Sequence, residues 1–152
     1  MSIRSQQQNM REISILVKQD LGYIYGDPEG RRPAGAKKMF LSKSQTLLRG
    51  LVKDLDFLEH KINTNPGGIA VSGEVSLYGM WSKDKGIHIK IFQPIGQLTG
   101  CIMYRSISHI KDFTGGLNHY IRNDIFERAD YNALLTTIRS MKGVADNGRQ
   151  AA

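Results

Sequence analysis

The segment VSLYGMWSKDKGIHIKIF at residues 75–92 alternates apolar and polar side chains in two runs, as paired β-strands do. In the second run the isoleucines fall on one face, whereas His88, Lys90 and Phe92 fall on the other. The polar sequence SKDKG separates the two runs. This pattern predicts an antiparallel hairpin that turns one face toward a core.

The strand pattern extends on both sides of the hairpin. Upstream, Ile69 and Val71 continue the alternation of the first run. Downstream, residues 100–107 have a strand-like composition, although they alternate less regularly. The sequence therefore predicts a three-stranded antiparallel meander.

Two helices are predicted before the sheet. Apolar side chains recur at spacings of three and four over residues 42–62, and a similar face runs over residues 7–24. The side chains that define the longer pattern are Leu47, Leu48, Leu51, Leu55, Leu58 and Ile62. Between the helices, residues 25–37 are rich in Gly and Pro, which predicts a basic loop.

One more helix is predicted after the sheet. Asp130 stands where a helix N-cap is expected, and Gly143 follows the last apolar turn. Residues 109–123 lack a clear period and are interpreted as an ordered loop, and residues 144–152 as a disordered tail. The prediction is one α+β domain over residues 1–143, with two N-terminal helices, the meander and a C-terminal helix.

Composition narrows the class of protein. The 152 residues have a formal net charge of +7, and no run approaches the roughly 18–20 apolar residues that cross a bilayer. The first residues lack the apolar segment of a secretory signal. The single cysteine, Cys101, lies in an apolar run where a buried thiol is expected. We expect a cytoplasmic protein without a membrane partner.

The positive charge is concentrated in the first third of the chain. Residues 1–53 hold ten Lys or Arg and four acids, whereas residues 54–152 hold eleven and ten. Residues 31–53 hold seven basic side chains and no acid. Solvated surfaces normally mix both signs, so this segregation predicts contact with a polyanion.

We therefore predict a nucleic-acid interface built on this basic segment and on basic side chains of the sheet. Trp81 is expected to be exposed at the mouth of the hairpin and to stack on bases. Tyr78, Phe92 and Tyr104 are interpreted either as further stacking platforms or as core. The predicted contact residues are Arg31, Arg32, Lys37, Lys38, Lys43, Arg49, Lys53, Trp81, Lys83, Lys85, Lys90 and Arg105.

Enzymatic interpretations have weaker support. The common motifs for phosphate-binding loops, zinc hydrolases and serine hydrolases are absent, and no histidine or cysteine pair has zinc spacing. The most enzyme-like group is His109, Asp112 and His119, because a carboxylate can orient a histidine base. In a polar loop such residues are more often solvated. No metal ion or other cofactor is predicted.

A metal-dependent nuclease is the remaining enzymatic alternative. Its acidic ligands would come from Asp54, Asp56 or Glu59 on the second helix and from Asp84 at the hairpin, with Lys90 beside them. Nucleases of the restriction-endonuclease type usually carry an acid two residues before that lysine. Here that position is a histidine, which weakens the interpretation.

The preferred hypothesis is a non-enzymatic protein that binds DNA or RNA through phosphate contacts. The first alternative is a protein-interaction or adaptor subunit whose basic segment meets an acidic partner. The second alternative is the nuclease. The sequence leaves DNA and RNA, and single and double strands, equally open.

Overall fold

The computed structural model describes residues 2–26, 36–65, 73–92, 102–113, 116–121 and 123–143. Four α-helices, five β-strands and one short 3-10 helix lie in these ranges. In chain order they are α1 (Ile3–Gly26), α2 (Ala36–Leu55), β1 (Glu59–Asn65), β2 (Glu74–Ser82), β3 (Lys85–Phe92), β4 (Ile102–Ile107), β5 (His119–Ile121), α3 (Asn123–Glu127), α4 (Tyr131–Ser140) and the 3-10 helix (Met141–Gly143).

The five strands form one antiparallel sheet in the order β1-β2-β3-β4-β5. The predicted hairpin is confirmed, with Val75 opposite Ile91 and Leu77 opposite Ile89. The predicted strand near residues 100–107 is β4, which pairs with β3. The α+β class is therefore confirmed, but the predicted three-stranded meander is wrong because β1 and β5 extend the sheet at its two edges.

The helices cover one face of the sheet, which we call the helix-facing side. Alternate side chains of the strands, including Leu77, Ile89 and Ile102, pack there in one core with residues of all four helices. Phe40, Leu47 and Leu51, among others, supply this core from α2. Burying these apolar side chains is the main force that joins helices and sheet.

The opposite face, called here the second face, is partly covered by the chain after β4. Tyr78, Met80 and Ile107 form a small buried cluster on this face, and Ile110 packs against it. Residues 108–113, called the 108–113 segment, therefore fold back over the strands. The second face is not simply a solvated surface.

The predicted helix over residues 42–62 is wrong at both ends. Helix α2 begins at Ala36 and ends at Leu55, and Asp56 then takes a left-handed backbone conformation with φ 53°. The chain continues as the edge strand β1, whose side chains are mostly exposed. Leu58, which the sequence pattern places on the apolar face of the helix, is 75% exposed.

Of the other predicted elements, some have different bounds in the structure and one is confirmed. Helix α1 is longer than the predicted 7–24 range, and the predicted loop at 109–123 contains β5 and the start of α3. The C-terminal helix is confirmed: the side chain of Asp130 accepts a hydrogen bond from the backbone nitrogen of Ala133 at 3.0 Å. Aspartate is one of the residues preferred at the N-cap, because its side chain can accept this bond.

Several predictions fall outside the described residues. They concern residues 27–35 of the basic loop and the tail at 144–152. Ile69, Val71 and the expected buried thiol of Cys101 also lie outside. These stay predictions. The loop prediction over 25–37 is wrong at its two ends, because α1 extends to Gly26 and α2 begins at Ala36.

Candidate nucleic-acid interface

Three predicted contact residues share one exposed side of α2. Arg49 and Lys53 are one turn apart, and Lys38 lies eleven residues, or three turns, before Arg49. All three side chains are exposed. At a rise of about 1.5 Å per residue they extend over about 22 Å of helix axis. We call these three residues the α2 basic face.

Lys43 belongs to α2, but its side chain contacts α1 and lies outside the α2 basic face. Its ammonium nitrogen is 2.7 Å from the carboxylate of Glu12, and both side chains are about one-third exposed. Hydrogen bonds from Lys43 and then from Gln8 lower the pKa of Glu12. The charge of Lys43 is therefore compensated locally, and the pair links the two helices.

Three residues of the predicted interface lie wholly or partly outside the described residues. Arg31 and Arg32 lie outside the described residues. The backbone of Lys37 belongs to the first turn of α2, but its side chain is not described. Their part in the interface stays a prediction.

Trp81 is half-buried, so the prediction that it is exposed is wrong. Its indole nitrogen donates a hydrogen bond to the carbonyl oxygen of Leu55 at 2.8 Å, and its ring lies 5.3 Å from that of Phe57. The ammonium of Lys142 lies 5.5 Å from its ring centre. These contacts hold β2 against the end of α2, where the indole has a structural role.

The β2–β3 hairpin brings further basic residues to the same end of α2. Lys83 is exposed and Lys85 is half-buried. Arg139 donates a hydrogen bond to the carbonyl oxygen of Asp54 at 2.9 Å, and Lys142 lies over Trp81. Sequence reasoning missed Arg139 and Lys142, although their spacing of three on the last helical segment was a usable signal.

Lys90 and Arg105 point to the second face, away from α2. Lys90 is 3.5 Å from the carboxylate of Glu74 and lies 5.7 Å from the ring centre of Phe92. Arg105 is only 6% exposed and donates a hydrogen bond to the carbonyl oxygen of Asp112. The proposed phosphate contact of Arg105 therefore does not fit its burial, because the side chain anchors the 108–113 segment.

The aromatic side chains of the sheet are divided between its two sides. Tyr78 is buried and stacks on His88 with ring centres 4.3 Å apart. Tyr104 is half-buried on the helix-facing side and stacks on His119 at 5.2 Å, and burial raises its pKa. Phe92 is half-buried and meets the exposed ring of Tyr120 edge-on at 6.3 Å. Only this last pair offers an exposed ring.

The group of His109, Asp112 and His119 does not assemble. The carboxylate of Asp112 accepts hydrogen bonds from the backbone nitrogen and the hydroxyl of Ser108, both at 3.1 Å. His109 is 3.2 Å from that hydroxyl and not bonded to the carboxylate, whereas His119 lies on the helix-facing side of β5. The Asp112 contacts fix a turn.

The residues of the nuclease alternative are also separated. Asp54 accepts a hydrogen bond of 2.6 Å from the hydroxyl of Tyr131 within the helical layer, whereas Lys90 is on the second face. Glu59 lies on β1, not on a helix as predicted. Within the described part of the chain, no three His, Cys, Asp or Glu side chains are grouped so that they could hold a metal ion.

Comparison with protein-family models, curated proteins and solved structures found no match. Among the helices that the structure describes, none is both long and apolar enough to cross a bilayer.

Proposed function

We propose that this protein binds nucleic acid without catalysis, and that the α2 basic face contacts phosphates. The observation that supports the proposal is the charge of α2: from Ala36 to Lys53 the helix carries no acid, and three of its cations are exposed on one side. Duplex DNA presents one phosphate charge per about 1.7 Å of axis, so a row of cations needs no special spacing to meet phosphates.

The basic surface extends beyond the helix. Lys83 and Lys142 lie near its C-terminal end, where Trp81 ties the hairpin to Leu55. Contacts of this kind recognise the phosphate backbone and carry no direct information about base sequence. The protein would therefore bind unrelated sequences with similar affinity.

The test replaces Lys38, Arg49 and Lys53 with Gln and measures affinity for single- and double-stranded DNA and RNA over a range of salt. If each cation neutralises one phosphate, the slope of log affinity against log salt becomes shallower by about 2–3. Folding should survive, because exposed substitutions usually change stability by less than about 0.5 kcal/mol.

The matched control replaces Arg4, Arg11 and Arg128, which are exposed outside α2, with Gln. It removes the same number of positive charges as the test variant. We expect this control to keep most of the wild-type slope. Equal losses in both variants would mean that net charge, and not the α2 basic face, determines binding. If the wild type binds none of the four probes, the nucleic-acid proposal is wrong, and an acidic protein partner becomes the better hypothesis.

A further inference from the structure

The second face of the sheet contains a polar pocket next to the edge strand. Its volume is about 400 Å³, within the usual range of about 300–1,000 Å³ for small-molecule sites. Its walls come from β1, from the start of β2 and from the 108–113 segment. Asn63, Ser76, Tyr78, Lys111 and Phe113 are among the lining residues. We call it the β1–β2 pocket.

Two lysine side chains meet beside this pocket. Lys61 of β1 is opposite the lining residue Tyr78, and Lys111 lies so close to it that a hydrogen bond from Lys111 to the neutral amine of Lys61, together with charge repulsion, lowers the pKa of Lys61. Two like charges in contact repel unless an anion lies between them. The pair therefore offers the positive charge that favours a bound anion such as a phosphate group.

The backbone holds Lys111 in this position under strain. Its φ of 61° is in the left-handed region, which a lysine rarely adopts. On either side of it, Ile110 packs against the cluster on the second face, and Asp112 is bonded to Ser108 and Arg105. Strained residues held by their surroundings in this way are often found at binding sites.

The remaining charges at the pocket also allow an anion to bind there. Glu74 is the acidic lining residue, and its carboxylate is paired with Lys90 at 3.5 Å. Phe113, at the other wall, is 71% exposed. An exposed aromatic ring beside a cationic pair is suited to a ligand that combines a phosphate with a planar base, because bases stack on aromatic rings.

We propose that the β1–β2 pocket binds the phosphate of a nucleotide between Lys61 and Lys111, with the base stacked on Phe113. The nucleotide is either free or part of a single strand. This site is independent of the α2 basic face, because the sheet separates the two surfaces.

Calorimetric titrations with inorganic phosphate, adenosine monophosphate and a short single-stranded oligonucleotide test the proposal. The Lys61→Gln, Lys111→Gln double variant is expected to lose at least about tenfold in affinity for inorganic phosphate and for adenosine monophosphate, because it removes both cations. A loss of oligonucleotide affinity in this double variant identifies a strand as the ligand of the pocket, whereas an unchanged oligonucleotide affinity identifies a free nucleotide. Phe113→Ala should weaken binding of the nucleotide and leave binding of inorganic phosphate unchanged.

The matched control is the Arg4→Gln, Arg11→Gln variant, which removes two exposed positive charges of α1 that have no part in either proposed site. It should leave binding of the mononucleotide unchanged. The proposal is overturned if the mononucleotide does not bind, or if both double variants weaken its binding equally. Loss of oligonucleotide binding only in the variant with Lys38, Arg49 and Lys53 replaced by Gln would support the proposed function and contradict a strand in the pocket.

Discussion

His88 is a titratable side chain buried on the second face of the sheet. It is 5% exposed, and neither ring nitrogen has a hydrogen-bond partner among the described residues. Burial, with the nearby charges of Arg105 and Lys90, lowers its pKa to about 4. The imidazole is therefore neutral at physiological pH and contributes mainly through its stack on Tyr78.

This burial predicts a loss of stability in weak acid. Below pH 6.5 the unfolded chain binds a proton that folded His88 does not accept until about pH 4, so falling pH stabilises the unfolded state relative to the folded state. Between pH 6.5 and 4 the free energy of unfolding should drop by about 2–3 kcal/mol from this residue. Urea unfolding at pH 7, 5.5 and 4.5 measures the drop.

The His88→Phe variant keeps a ring at this position but takes up no proton, so most of that drop should disappear. Replacing the exposed His60 with Gln is the control and should leave the drop in place. Glu12, whose pKa is lowered from 4.5, loses its stabilising effect only below that pH, so the two groups titrate in different ranges. A His88→Phe protein with an unchanged pH profile would show that another group is responsible.

At the level of elements, a buried polar network joins α1, α2 and α4. The side-chain amide of Gln6, which is fully buried, donates hydrogen bonds to the carbonyl oxygen of Leu47 at 3.0 Å and to the hydroxyl of Tyr131 at 3.4 Å. Asn9 donates to the amide oxygen of Gln6 at 3.0 Å. Gly50 allows this approach, because a Cβ there would lie 2.0 Å from the nitrogen of Gln6.

Replacing Gly50 with Ala should therefore destabilise the protein even though Ala favours helix by about 1 kcal/mol. The methyl group would push the Gln6 amide away and leave buried polar groups unpaired, at a cost of about 1–3 kcal/mol. After the helix preference is subtracted, we expect a net loss of up to about 2 kcal/mol, measured by urea unfolding. Ser42→Ala, at an exposed position of the same helix, is the control. A Gly50→Ala protein that is more stable than the wild type would show that the close approach of Gln6 to Gly50 is not needed for stability.

The elements predicted correctly from the sequence are those with strong local signals. The hairpin has clear alternation, and Asp130 caps α4 as predicted. Strand β1 was missed because EHKINTN is mostly polar and exposed, so pairing with β2 and not its own pattern specifies it. Strand β5 has three residues, too few to show a period.

The candidate interface was predictable to a similar degree. The charge of α2 is visible in the sequence, and the exposure of Lys38, Arg49 and Lys53 follows from the helical period. The burial of Arg105 and Trp81 was not predictable, because it depends on the 108–113 segment and on the end of α2. The meeting of Lys61 with Lys111 likewise arises only from tertiary structure.

Over the whole molecule, the sheet separates two packed clusters that share its strands. The larger core lies on the helix-facing side, and the cluster of Tyr78, Met80 and Ile107 lies on the second face. Both depend on the pairing of β2, β3 and β4, since adjacent residues of these strands point to opposite sides. We therefore expect that neither cluster unfolds while the other keeps its strands.

This shared sheet predicts a single cooperative unfolding transition. Trp81 is the only tryptophan, and it contacts the end of α2. Its fluorescence therefore reports the helix-facing side, whereas far-ultraviolet circular dichroism reports mainly the helices. In urea the two signals should give the same midpoint.

The sharper test uses a substitution on the side that Trp81 does not report. Ile107 is fully buried in the second-face cluster, so Ile107→Ala should cost about 2–5 kcal/mol. If the sheet couples the two sides, this variant shifts the fluorescence midpoint as far as the circular dichroism midpoint. Leu51→Ala, on the helix-facing side, should shift both signals in the same way. A fluorescence midpoint that stays at its wild-type value in Ile107→Ala would mean that the second face unfolds separately, because the transition at Trp81 would then be independent of the strands behind it.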